Sequence, residues 1–190
     1  LAFSLFDMLM DYCRRQVRPS RRREAPEEDS RFLSVTELPG MKQVTDMIWQ
    51  VARQQCPVLL LGESGTGKEV VAETLYRASA RGDAPFIKVN CGGIPDSLID
   101  SELFGHEKGS FTGAIHTRKG VFERAHRGML LLDEIGELPP AGQTRLLRIL
   151  QDGVLERIGG SEEQQIDIRI IAATHRDLSR MVQEGRFRAD

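Results

Sequence analysis

An apolar run, Pro57-Val58-Leu59-Leu60-Leu61, leads directly into Gly62-Glu63-Ser64-Gly65-Thr66-Gly67-Lys68, and this junction restricts the fold more than any other feature of the chain. A short apolar run suits a strand buried on both faces, the situation in a parallel sheet covered by helices. Gly65 and Gly67 let the backbone turn its N–H groups inward around anionic oxygens. A helix predicted over 69–80 points its positive N-terminal end at the same place, and Lys68 reaches the outer phosphates. Gly62, Glu63, Ser64, Gly65, Thr66, Gly67, Lys68 and Glu69 are therefore the candidate nucleotide-binding residues. Glu69 departs from the general pattern, which places Ser or Thr after the lysine as a magnesium ligand.

A second junction has the same form. Met129-Leu130-Leu131-Leu132 ends in Asp133-Glu134, so a buried strand delivers two carboxylates to the carboxyl end of the sheet, where ligands sit in open α/β folds. The pair divides two tasks. Asp133 is expected to hold Mg²⁺, through water given Glu69, and Glu134 to polarise the attacking water as general base. Two further strands are predicted over 86–89 and 168–173, and they run into the polar residues Asn90 and Thr174. In a parallel sheet those ends line the same edge as the glycine loop. Helices are predicted over 97–103, 143–151 and 177–184, the last opening on Asp177 as N-cap. Strands alternating with helices imply a right-handed parallel α/β sheet.

Between the glycine loop and the acidic strand lies Glu107-Lys108-Gly109-Ser110-Phe111-Thr112-Gly113-Ala114. A glycine-rich segment with one exposed aromatic, inserted into a nucleoside-triphosphatase core, has the form of a mechanical tip that touches a partner. Residues Gly109, Ser110, Phe111, Thr112, Gly113 and Ala114 closely resemble the GAFTGA signature of the bacterial AAA+ activators that remodel sigma-54 RNA polymerase, with Ser110 where Ala is usual. Those activators also share the GESGTGKE that stands here at 62–69.

The resemblance implies a P-loop AAA+ core, a parallel sheet flanked by helices, that stops before a fifth strand and a helical lid. It implies ATP as the nucleotide, sigma-54 RNA polymerase as partner of the Phe111 loop, and a ring oligomer, expected to be a hexamer. Promoter or enhancer DNA would be bound through a C-terminal domain outside this chain. By the same resemblance Asn90 is the switch residue that restrains Glu134. Thr174 with His175 occupies the sensor I position, where Asn is more frequent than His. Arg188 is the arginine finger, a planar cation that reaches the γ-phosphate bound by the neighbouring subunit. Arg186 either assists it or is a solvated arginine near a helix end. A hairpin is expected over 155–168, turning at Gly159-Gly160; in the family this second insertion moves with the first, and as a bare sequence it is equally a passive surface hairpin.

Composition sets the remaining bounds. A chain of 190 residues with 40% hydrophobic content buries one sizeable core, expected from residue 32 onward. Residues 1–17 are expected to be the end of an upstream regulatory domain or a linking helix, 18–31 a charged linker, and 32–190 the AAA+ domain, incomplete at its C-terminus. Across 14–29, Arg14, Arg15, Arg18, Arg21, Arg22 and Arg23 are followed by Glu24, Glu27, Glu28 and Asp29, whose charges offset the field on DNA phosphates. A net charge of −2 gives no overall drive toward nucleic acid. Cys13, Cys56 and Cys91 lack metal-ligand spacing and fit a reducing cytoplasm. No apolar stretch approaches membrane-spanning length. Two other functions share these residues: a different AAA+ remodelling ATPase of the unfoldase or loader type, which has no need of Phe111-Thr112-Gly113, and a nucleotide-binding interaction module without turnover, against which Lys68, Asp133, Glu134 and Arg188 speak.

Overall fold

The structure, a computed structural model, describes residues 42–189. The expected N-terminal helix and charged linker lie outside the described residues.

Helix α1 (Lys42–Ala52) brings Val44, Ile48, Val51 and Ala52, spaced by helical turns, onto one face of the sheet. Strand β1 (Val58–Leu61) passes through the glycine loop into α2 (Lys68–Ala78). That helix stops short of the predicted end because Ser79 turns extended, its N–H and hydroxyl both donating to the Tyr76 carbonyl. Next come β2 (Phe86–Asn90), α3 (Asp96–Phe104), the two-residue strands β3 (Gly105–His106) and β4 (Arg118–Lys119), and the short helix α4 (Val121–Arg124). Strand β5 (Met129–Asp133) leads to α5 (Pro140–Asp152), which starts earlier than its apolar spacing indicates because Pro140 is preset for the first helical position. The antiparallel pair β6 (Val154–Glu156) and β7 (Glu163–Gln165) precedes β8 (Arg169–Thr174) and α6 (Leu178–Gln183). The hairpin's return strand is shorter than predicted: beyond it the Ile166 N–H still donates to the Gly153 carbonyl, and Ile166 and Ile168 pack into the core.

The main sheet is parallel in the order β1-β8-β5-β2, with helices on both faces as expected. Side chains alternate between the faces. Leu130, Leu132 and Ile170 join Phe104, Phe122 and Leu146 on one side, while Met129, Leu131 and Ile171 join Ile48, Ala72 and Leu75 on the other. Each fully buried leucine of β5 contributes about 2–3 kcal/mol by leaving water. Arg169, 1% exposed, opens β8 and gives its guanidinium to the carbonyls of Val51, Ala52 and Cys56. A cation thus satisfies carbonyls at the C-terminus of α1 and fixes that helix to the entry of β1.

Candidate functional site

The sheet order puts the chemistry at one edge. Leu61 pairs with Thr174 and Asn90 with Asp133, so the glycine loop, Thr174, the acidic pair and Asn90 all emerge at the carboxyl ends of adjacent strands. The Gly62 N–H donates to the Thr174 carbonyl at 3.3 Å and extends the β1–β8 ladder into the loop. Gly65 and Gly67 take φ of 80° and 86°, the left-handed region that leaves N–H groups facing inward at the start of α2. Lys68 folds over the loop, its Nζ 2.8 Å from the Gly62 carbonyl and 3.0 Å from that of Glu63. Thr66 ties the loop to itself through its hydroxyl, which donates to the Glu63 carbonyl. Ser64 is exposed.

Glu134 has φ of 53° and leaves the strand in a left-handed turn that aims its carboxylate toward the end of β8. Its Oε2 faces His175 Nδ1 at 2.7 Å and accepts from the His175 N–H at 3.3 Å and the Thr174 hydroxyl at 3.4 Å. Burial pulls the carboxyl up, but the bonds from His175 and the charge of Lys68 outweigh it and hold the group below the usual carboxylate range. The expectation that Asn90 restrains Glu134 is not met in this structure. Asn90 Oδ1 accepts from the Gly92 N–H at 2.9 Å and caps a short turn, and the side chains on Glu134 are those of Thr174 and His175. Asp133 Oδ1 accepts from the Glu134 N–H. The side chain of Glu69 points to Lys88, 3.0 Å from its Nζ. Among the described residues no group of three metal-ligating side chains converges. One carboxylate suits Mg²⁺, which keeps most of its waters and takes further oxygens from phosphates.

A cavity of about 410 Å³ opens beside Gly62 and Glu63, lined by Thr174, His175 and Arg188 on its polar side and by Leu61, Leu146 and Phe187 on its apolar side. The Arg188 N–H donates to Gln143 Oε1, and its guanidinium lies 3.4 Å from the Thr144 hydroxyl. Arg186 pairs with Glu184 instead.

The Phe111 loop is built by different contacts. The Gly109 N–H donates to the Ala114 carbonyl at 2.8 Å and the Ala114 N–H to the Phe111 carbonyl at 3.0 Å, closing a tip that carries Thr112 and Gly113. Phe111 is 40% exposed, with its ring set edge-on against His106 at 4.9 Å between centroids. His106 is buried, its Nδ1 2.7 Å from the Ser101 hydroxyl. The tip is therefore partly seated on the body of the protein.

The hairpin β6–β7 grips the same loop. His106 and Ile158 form a parallel bridge, the Glu107 N–H donates to the Ile158 carbonyl and the Ile158 N–H to that of Gly105. Gly159 lies so close to Ser110 that an added Cβ would overlap the Ser110 side chain. Arg157 links three segments, 2.7 Å from Glu107 in the loop and bidentate on Glu123 of α4 at 2.6 and 2.8 Å. Glu123, then Glu107, drive the guanidinium's pKa further up. Sequence reasoning missed His106, Glu123 and Arg157, because pairing across loops leaves no periodic signal.

A parallel sheet that brings a glycine loop with its lysine, an acidic pair and two polar strand ends to one edge defines a P-loop nucleoside triphosphatase of the AAA+ class. A family model for the sigma-54 interaction domain matches residues 34–190, and the chain belongs to that family. It is 56% identical over 156 residues to the regulatory protein AtoC of Escherichia coli, covering 82% of this chain and 34% of that protein. It is 49% identical over 189 residues to the transcriptional regulator NtrC of Klebsiella pneumoniae, covering 100% of this chain and 40% of that protein. The chain thus spans well under half the length of these relatives. Among solved structures, NtrX of Brucella abortus in complex with ATP superposes with a TM-score of 0.74 at 36% identity, over 81% of this chain and 33% of that one.

Proposed function

We propose that this protein hydrolyses ATP in a ring oligomer and uses the cycle to press the Phe111 loop against sigma-54, opening the closed promoter complex of the polymerase. The observation that carries the reading is the link through Arg157: the loop's Glu107 and the Glu123 of the helix feeding β5 share one guanidinium, and β5 ends in the acidic pair. A change of charge at the end of β5 thus has a short, packed route to the loop.

The loop N–H groups and the start of α2 bind the phosphates, and Lys68 exchanges its two loop carbonyls for outer phosphate oxygens. Asp133 is the residue to hold Mg²⁺, which when bound offsets phosphate charge. Glu134 accepts a proton from water as the water oxygen bonds the γ-phosphorus and the bond to the ADP oxygen breaks. Thr174 and His175 keep one Glu134 oxygen fixed, which leaves the other to face the water. Arg188 of a neighbouring copy stabilises the charge that builds on the γ-phosphate.

The test is made on the intact protein. Glu134→Gln keeps ATP binding and lowers turnover by about 100- to 10,000-fold, the range of a lost general base, whereas Lys68→Ala weakens binding itself. Arg188→Ala binds ATP but does not turn it over, and mixing it with Lys68→Ala restores partial activity where two sound halves meet. Turnover by Glu134→Gln at the wild-type rate would remove the base assignment.

A further inference from the structure

Ile115 is the most exposed large apolar side chain among the described residues, 69% accessible, and it stands in the same loop as the 40% exposed Phe111. Scattered surface apolar groups are ordinary, so exposure alone says little. What distinguishes Ile115 is how firmly its backbone is held. Its N–H donates to the Gly113 carbonyl at 2.9 Å, and the preceding Ala114 is buried and closes the tip by bonds to Gly109 and Phe111. On its other side the Thr117 hydroxyl donates to Glu107 at 2.7 Å and accepts from the Lys108 N–H at 3.2 Å. A β-branched side chain on a fixed backbone has few rotamers to lose, so contact with it costs little ordering.

The surrounding charge has a definite sign. The nearby acids are engaged within the fold: Glu107 by Arg157 and Thr117, Glu123 by Arg157, and Glu102 by Arg118 at 2.5 Å. Lys108 and Lys119 are exposed, and among the described residues neither has a carboxylate partner. The face around the tip is therefore apolar at its centre and cationic at its edge.

We propose that Ile115 is a second apolar anchor, beside Phe111, of the surface that docks sigma-54, and that Lys108 and Lys119 form a rim complementary to carboxylates around an apolar patch on that partner. This rests on the reading of the Phe111 loop as the sigma-54 contact. A folded protein partner fits better than a nucleic acid, because two anchored apolar side chains offer nothing to a phosphate backbone, whereas they match the desolvated centre of a protein interface.

Capture of purified sigma-54 by the intact protein, held with ADP and aluminium fluoride, is measured as a Kd alongside phosphate release. Ile115→Gln binds sigma-54 about 10-fold more weakly or worse, the loss of one buried isoleucine side chain, with hydrolysis unchanged, and Ile115→Leu restores binding. Lys108→Gln with Lys119→Gln slows association and flattens its salt dependence. Phe111→Ala in the same assay separates the two claims. Loss of capture by Phe111→Ala with wild-type capture by Ile115→Gln overturns the anchor and leaves the loop reading standing; wild-type capture by Phe111→Ala overturns the reading and the anchor together. The variants are also assayed on duplex DNA without sigma-54, and a defect there with sigma-54 capture intact overturns the choice of partner.

Discussion

At the carboxyl edge of the main sheet the functional groups sit on strand ends fixed by backbone ladders, whereas at the Phe111 loop they sit on short turns fixed by side chains. Leu61 pairs with Thr174, and Asp133 with both Asn90 and Ala173, so moving any one of them disturbs the sheet. Phe111, by contrast, is held by one ring contact to His106, a few turn hydrogen bonds and the ion pairs of Arg157. One end is built to stay in place while charge changes within it. The other is held by a handful of contacts that lie outside the sheet. Arg157 ties the loop to α4, the helix that leads into β5, and its removal is the sharpest way to break the comparison.

Arg157→Ala leaves Glu123, whose side chain is 7% exposed, as a buried charge without its bidentate partner. The expected loss is about 3 kcal/mol of stability, the cost of breaking a largely desolvated pair, read as a lowered urea midpoint. Nucleotide affinity stays near wild type, because nothing at the sheet edge touches Arg157. A fall in affinity as large as the fall in stability would mean that the two ends are one unit.

A smaller effect is expected at the seat of the loop. Gly159 has φ of 71° and lies against Ser110, so Gly159→Ala meets both left-handed strain and overlap with the loop. The cost is about 1–2 kcal/mol from the backbone, and the overlap is relieved by lifting the tip. Faster hydrogen exchange at 109–114, with exchange in β5 and β8 unchanged, checks this. Equal acceleration in the strands would contradict it.

The least of these effects is a shift in pH dependence. Hydrogen bonds from His175 help to hold the Glu134 carboxyl below its ordinary value of 4.5 against the upward pull of burial. A depressed pKa means that this contribution to stability is present above 4.5 and is lost as pH falls through the folded value. His175→Ala removes the side-chain donor and keeps the burial, so the acidic limb of the hydrolysis profile moves to higher pH, while His175→Asn, which retains a donor, moves it less. An unmoved limb in His175→Ala would assign the lowered pKa to Lys68.

The same contrast explains what could be read from the sequence. The glycine loop, the acidic pair and the polar strand ends each follow an uninterrupted apolar run, so a local pattern reports both strand and site. The four strands of the main sheet and helices α2, α3, α5 and α6 were legible from such local patterns, and the Phe111 tip from its likeness to GAFTGA. Helix α1 carried a usable signal too, in the spacing of Val44, Ile48, Val51 and Ala52. Arg157, Glu123, His106 and the Gly159–Ser110 contact were not legible, because their partners are remote in sequence and no period connects them. Asn90 is engaged locally in this structure: a strand-end Asn has a backbone N–H two residues on within easy reach, and that turn bond holds it.

The separation of chemistry from contact is tested most directly by measuring phosphate release and sigma-54 capture together on Phe111→Ala and Thr112→Ala, using the intact protein with ADP and aluminium fluoride for the capture. The account predicts phosphate release and oligomerisation like wild type with capture lost in both variants. Capture retained by both, or capture lost only together with hydrolysis, would contradict it.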